Sequence, residues 1–114
     1  LGQQDSFDSG RAEVKNSFEG TLQKVGMALN DVGGIVKIEG HTDNVPVGFS
    51  SRYRSNWDLS SARSAAVADY ILGSTNLQPG NVSVAGFADS KPIASNDTTD
   101  GRARNRRIEV LVDG

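Results

Sequence analysis

The spacing of apolar residues changes period between Val14 and Ile38, and that change constrains the fold more than any other feature of the chain. Val14, Phe18, Leu22, Val25 and Leu29 follow one another by four, four, three and four residues, which marks one face of an amphipathic helix and predicts a helix over residues 12–31. Asp31 and the Gly33-Gly34 pair end it, and Ile35-Val36-Lys37-Ile38-Glu39 then alternates as a strand with Val36 and Ile38 facing inward. Both periods recur downstream. Leu59, Ala62, Ala66, Tyr70 and Ile71 predict a second helix over 60–72, with Asp58 and Ser60 as capping oxygens and Gly73 at its end. After the Pro79-Gly80 turn, Val82, Val84 and Gly86 share one face of a strand, and Ile108, Val110 and Val112 share one face of another, preceded by a helical turn near 100–105. Residues 1–11 are expected to be linker or a short edge strand over 6–11.

Clean alternation in the strands implies a sheet covered on one side, with both long helices packed on its Val and Ile face. The fold class expected is therefore α/β (α+β), a two-layer sandwich with a mixed sheet. The crossover from the first strand through the second helix to the next strand makes those two strands parallel. With 114 residues and 12.1 kDa there is room for one domain over 1–114 and no second core.

Composition removes several classes of function. Hydrophobic residues make up 36% and charged ones 23%, a balance that packs a core rather than staying disordered. No stretch approaches the roughly 18 apolar residues that cross a bilayer, and a start at Leu1 without Met is expected of a processed or excised piece whose targeting and anchor lie upstream. Twelve basic against fourteen acidic residues give a net charge of −2, which lacks the electrostatic footprint of a nucleic-acid binder. No Cys means no disulfide, thiolate metal site or thiol chemistry. His41 and Asp43 are possible ligand types, but the single His has no partner at metal-binding spacing, so no metal and no cofactor is expected. Ser is abundant, yet there is no Gly-x-Ser-x-Gly elbow, and no catalytic residues are assigned.

The chemistry is expected where the first strand ends in Gly40-His41-Thr42-Asp43, because ligands of open α/β sheets gather beyond the carboxyl ends of strands. A long loop over 44–58 follows, and Arg63 falls in the first turn of the predicted second helix, beside N–H groups whose dipole favours an anion. A carboxylate and a guanidinium facing one crevice suit a zwitterion, with Asp43 on an ammonium and Arg63 on a carboxylate. Each charge-assisted bond contributes about 1.5 to 3 kcal/mol at best. The plain alternative is an ion pair between Asp43 and Arg63 themselves. Phe49, Tyr53 and Trp57 interleaved with Arg52 and Arg54 read as loop packing rather than a nucleic-acid surface.

Gly-His-Thr-Asp-Asn-Val-Pro-Val at 40–47, Ser-Asn-Trp-Asp-Leu-Ser-Ser-Ala-Arg at 55–63 and Asn-Asp-Thr-Thr-Asp-Gly-Arg-Ala-Arg-Asn-Arg-Arg at 96–107 together resemble the OmpA-like peptidoglycan-binding domain over about residues 6–113. The Asn-Val-Pro continuation and the Ser-Asn-Trp segment look most like the periplasmic domain of the flagellar stator B subunit, of the MotB or PomB type. A similar loop occurs in membrane-complex proteins of type VI secretion, whereas outer-membrane members usually have a shorter one. The resemblance implies non-catalytic binding of peptidoglycan through the diaminopimelate of its stem peptide. By the family pattern Asp43 takes the ammonium and Arg63 the carboxylate, Thr42, Asn56 and the backbone near Leu59 complete the cradle, and Asp8 and Ser9 in Phe7-Asp8-Ser9-Gly10 border it. His41 is expected as a structural hydrogen-bonder, and Asn105 and Arg106 as structural ties between the last helical turn and the loops around Asp43. Ser64 stands where Ala commonly follows the Arg. The implied setting is the periplasm, as a homodimer joined to a stator A subunit of the MotA or PomA type through an upstream membrane helix. The competing class is a hydrolase of the same wall peptides, for which the chain supplies neither a metal site nor an activated nucleophile. If Asp43 and Arg63 serve only the ligand, replacing either is expected to remove binding while changing stability by less than about 1 kcal/mol.

Overall fold

The computed structural model describes residues 12, 14–32, 34–48 and 52–113. Helix α1 spans Asn16–Val32, strand β1 Ile35–His41, helix α2 Asn56–Ser74, a 3-10 turn Pro79–Asn81, strand β2 Val82–Gly86, helix α3 Thr99–Asn105 and strand β3 Arg107–Asp113. The order in the sheet is β2-β1-β3, with β2 parallel and β3 antiparallel to β1, so the sheet is mixed as expected. The expected strand at 6–11 lies outside the described residues.

Helix α1 starts at Asn16, four residues later than its apolar stripe suggests, with the Phe18 N–H donating to the Lys15 carbonyl at 2.9 Å. Val14 still packs against the core from the non-helical segment before it. Apolar spacing reports which side chains point inward, and a residue just outside a helix can continue the stripe. At the other end Gly34, with φ of 92°, takes the left-handed conformation that turns the chain into β1.

Helix α2 starts at Asn56, not at 60, and its cap is neither Asp58 nor Ser60. Ser55 is the N-cap, its hydroxyl accepting from the Asp58 N–H at 3.2 Å, while the Asp58 carboxylate reaches back to the Arg54 N–H at 3.0 Å. This reciprocal bonding satisfies donors that a helix start otherwise leaves open. Nor does Gly73 end the helix. The hydroxyls of Ser74 and Thr75 donate to the carbonyls of Tyr70 and Ile71 at 2.8 and 2.7 Å, holding one further residue in helical geometry. The predicted loop is thereby shortened to residues 42–55, and Arg63 moves from the first turn into the third.

Cross-strand register places Val82, Val36 and Val112 in one row, Val84, Ile38 and Val110 in the next, and Gly86, Gly40 and Ile108 in the third. Phe18, Leu22 and Leu29 of α1 and Val67, Ala68 and Ile71 of α2 close over Val36, Ile38 and Ile108 to make the core. The rows run inward as predicted, but burial fades at the edges, leaving Val84 44% and Val112 41% exposed. The row ending in Gly86 and Gly40 has no side chains on two strands, which lets α2 lie directly on the backbone. A Cβ on Gly40 would collide with the Ser60 carbonyl and Ser64 hydroxyl, and one on Gly86 with Ser61 and Ser60. This close approach seats α2 against the carboxyl end of β1.

Gly40→Ala and Gly86→Ala are each expected to destabilise the domain by about 1 to 3 kcal/mol, the cost of overpacking. Gly20→Ala in α1, where nothing lies within 4 Å, is expected to stabilise it by about 0.5 to 1 kcal/mol. Urea unfolding of the three variants tests the contrast.

Candidate functional site

Beyond the last pair of β1 the backbone turns at Thr42 and Asp43, both buried. The Thr42 N–H donates to the Ala88 carbonyl at 2.8 Å, and its hydroxyl donates to the Asp43 carbonyl at 2.8 Å. Asp43 Oδ1 accepts from the Val45 N–H at 3.0 Å, folding the start of the loop around the carboxylate. From the first turn of α2, Asn56 Nδ2 donates to the Val45 carbonyl at 3.0 Å and to the Asp43 carbonyl at 3.4 Å. Asn56 thus positions the loop that positions Asp43.

The other carboxylate oxygen, Oδ2, accepts from Arg106 Nη1 at 2.6 Å. Asp43 therefore pairs with Arg106, from the end of α3. Arg63 is buried in the third turn of α2, so it does not sit among the free N–H groups of the helix start, contrary to the sequence reading. Burial brings the Arg63 guanidinium down to about 10, with Tyr53 opposing this, Arg106 adding to it and Asp43 opposing it. It stays charged at neutral pH, within the electrostatic reach of both Arg106 and Asp43. Two guanidiniums and one carboxylate consequently converge here, and Arg106 Nε is buried without a hydrogen bond among the described residues. A carboxylate has about four lone-pair directions, so Asp43 can accept from a further cation while its present bonds persist. A guanidinium offers the paired donors that a second carboxylate needs.

Asn105 sets the place of Arg106. It is fully buried, its Oδ1 accepting from the N–H groups of Ile93 and Ala94 at 2.8 and 3.0 Å, its Nδ2 donating to the Ala94 carbonyl and Asn96 Oδ1 at 3.0 and 2.8 Å. All four bonding directions of the amide are used, which ties α3 to the loop before it. The four arginines clustered in sequence do not form one patch. Arg102 donates to the Asn96 carbonyl, Arg106 turns to Asp43, and Arg107 donates to Glu109, the Asn105 carbonyl and the Lys91 carbonyl, while Arg104 is exposed.

The Leu59 N–H donates to the Ser55 carbonyl at 3.0 Å, within the helical bonding of α2. His41 is buried, but among the described residues neither ring nitrogen makes a hydrogen bond; the ring stacks on Phe87, centroids 5.4 Å apart and 13° between planes. It is held by packing rather than by the hydrogen bonding expected of it. Asp8 and Ser9 lie outside the described residues.

Sequence reasoning missed Ala88 and Ser60. Ala88 has φ of 52°, a conformation that costs a residue with Cβ about 1 to 2 kcal/mol, and its N–H donates to Ser60 Oγ at 3.1 Å while its carbonyl receives Thr42. A lone Ala carries no pattern that announces this geometry. Ser60, a buried hydroxyl in a helix interior, is the kind of signal that can be sought.

Because Asp43 is buried and paired, removing it leaves Arg106 uncompensated. Asp43→Ala is now expected to cost about 2 kcal/mol, below the full cost of breaking a buried pair because Arg106 is partly exposed, and Asp43→Asn nearly as much. Thermal unfolding checks this; a loss under about 0.5 kcal/mol restores the earlier expectation.

Residues 6–106 match the model of the OmpA family. Motility protein B of Bacillus subtilis is 35% identical over 108 residues, an alignment covering 93% of this chain and 41% of that protein, so the chain spans less than half of that curated relative. Among solved structures, the cell wall anchor of the T6SS from Pseudomonas aeruginosa superposes with a TM-score of 0.91 at 39% identity, covering 98% of this chain and 77% of that one. A MotB-like protein from Desulfovibrio vulgaris superposes with a TM-score of 0.91 at 27% identity, covering 96% and 70%. The agreement of family match, close relatives and superposed folds over nearly the whole chain makes this protein a member of the OmpA family, homologous to Motility protein B.

Proposed function

We propose that the domain is a non-catalytic anchor that binds peptidoglycan in the periplasm through the diaminopimelate of the stem peptide. The observation that supports this reading is the Asp43–Arg106 pair at the carboxyl end of β1, with the buried guanidinium of Arg63 in the electrostatic field of both. The free end of diaminopimelate holds an ammonium and a carboxylate on one carbon. Asp43 receives the ammonium, sharing its carboxylate with Arg106, and Arg63 receives the carboxylate. Asn56 and Thr42 hold the Asp43 backbone in place through the bonds described above. Burial lowers the effective dielectric around these contacts, so they are stronger than the same pairs on an open surface. Nothing is cleaved in this scheme.

We further assign the domain to a flagellar motor stator, a reading supported by its 35% identity to Motility protein B. In that setting it works as a homodimer, joined to a stator A subunit through a membrane segment upstream of this sequence. The identity of 39% with the T6SS cell wall anchor supports a second setting, a secretion complex fixed to the wall by the same contacts. Detection of motility loss or of secretion loss on deleting the gene separates the two settings, and neither outcome alters the proposed ligand.

The purified domain is expected to co-sediment with diaminopimelate-type peptidoglycan and to be released by free diaminopimelate. Walls whose stem carries Lys should retain it at least about tenfold less, because Lys lacks the second carboxylate, a difference of about 1.4 kcal/mol or more. Equal retention on both walls refutes the ligand assignment. Release of soluble wall fragments during the incubation refutes the non-catalytic one.

A further inference from the structure

His41 is the one histidine of the chain, and it immediately precedes the Thr42-Asp43 turn. Its side chain is 2% exposed, and both ring nitrogens are buried without a hydrogen bond among the described residues. Four charged groups face it. Glu39 comes from β1 itself, with Oε1 4.0 Å from Nε2; Glu109 comes from β3, with Oε2 3.3 Å away; Arg107 comes from the start of β3 and Lys91 from the loop after β2. The remaining wall is the Phe87 ring stacked on the imidazole, with Lys91 Nζ 4.0 Å from its centroid on the same loop.

Glu109 Oε2 is already engaged. It accepts from Arg107 Nε and lies 2.7 Å from Arg107 Nη2. Arg107 in turn donates to the Lys91 carbonyl at 3.0 Å and to the Asn105 carbonyl at 3.1 Å, so it pins the loop after β2 and the end of α3 together. That loop carries Ala88, which receives the Thr42 N–H, and the end of α3 carries Arg106, which holds Asp43. The carboxylate nearest His41 is therefore the same one that binds Arg107.

We propose that His41 is a positioning residue whose neutral form keeps the Asp43 site closed on its ligand, and that uptake of one solvent proton by the imidazole opens the site. The imidazolium carries N–H on both nitrogens and competes with Arg107 for Glu109 Oε2, which loosens Arg107 from the Lys91 and Asn105 carbonyls. The proposal rests on the wall-binding reading for its ligand, but its structural half does not. Burial, first, and then Arg107 keep the imidazole below its ordinary value of 6.5, against the pull of Glu109 and Glu39, with Lys91 acting alongside Arg107. The unfolded chain therefore takes up the proton first. Stability present at neutral pH is lost as pH falls from about 6.5 through the folded-state value.

Two measurements on the intact domain decide this. A single imidazole makes an NMR titration unambiguous: the His41 ring signal should titrate below 6.5, with the Asp43 and Ala88 amides shifting in step. In parallel, retention on diaminopimelate-type peptidoglycan should fall about tenfold between about pH 7.5 and about pH 5, and His41→Gln, which cannot take up the proton, should bind at pH 7.5 and lose most of that pH dependence. Titration at or above 6.5, or still amides at Asp43 and Ala88, overturns the coupling whatever the wall does. A His41→Gln variant that binds walls with the wild-type pH dependence overturns it equally. If neither protein binds walls at any pH, the ligand reading fails and the NMR titration alone decides the role of His41.

Discussion

The bond between Asp43 and Arg106 joins residues 63 apart in sequence and closes the domain around its site. It links the end of the central strand to the end of the last helix, and the loops on either side are arranged about it. A buried ion pair of this kind contributes little net stability, because desolvating both charges offsets most of their attraction. Its effect is geometric. With Asp43 held from one side by the Val45 N–H and from the other by Arg106, the carboxylate has one orientation. A carboxylate free to rotate would have to be ordered by its ligand at an entropic cost.

Beside that pair, α2 lies close on the sheet. Gly40 and Gly86 face each other across β1 and β2, and their missing side chains let the backbone of Ser60 approach β1 and that of Ser61 approach β2. Ser60 then meets the N–H of Ala88, Ala88 meets Thr42, and the turn into Asp43 is set. The same approach delivers Arg63 from the third turn of α2 into the field of Asp43 and Arg106. Packing and site are thus one arrangement: what fills the interior also aims the polar groups. The left-handed backbone at Ala88 is a local cost of that arrangement, carried where the surrounding hydrogen bonds leave no alternative.

Around the same loop, Asn105 and Arg107 do different work. Asn105 is neutral and fully satisfied, so its contribution does not vary with pH. Arg107 acts through Glu109, a carboxylate that also faces the buried imidazole of His41. One tie is fixed and the other depends on the charge of its neighbours. Two guanidiniums beside a single carboxylate, with a buried imidazole behind them, give this small domain a concentration of polar chemistry at one end.

The sequence alone determined the order of elements and the inward faces of the three strands, and it marked the end of the first strand as the candidate site. Each of these follows from local periodicity or from the rule that ligands collect beyond the carboxyl ends of strands. Asp43, Asn56 and Arg63 could be named as candidates from their motifs, and the structure links Asn56 to the Asp43 carbonyl. The limits of the helices were not, because Val14 continues an apolar stripe from outside α1 and the hydroxyls of Ser74 and Thr75 extend α2 past Gly73. That Asp43 pairs with Arg106 was decided only by the tertiary structure. Arg63 and Arg106 are chemically equivalent in a sequence, and where each guanidinium comes to lie depends on the glycine-mediated approach of α2 and on the anchoring of α3 by Asn105. The environment of His41 was decided there too, since charges from three separate segments meet at its ring only after the sheet has formed. Local patterns fix directions along the chain, whereas distances between remote segments emerge from packing.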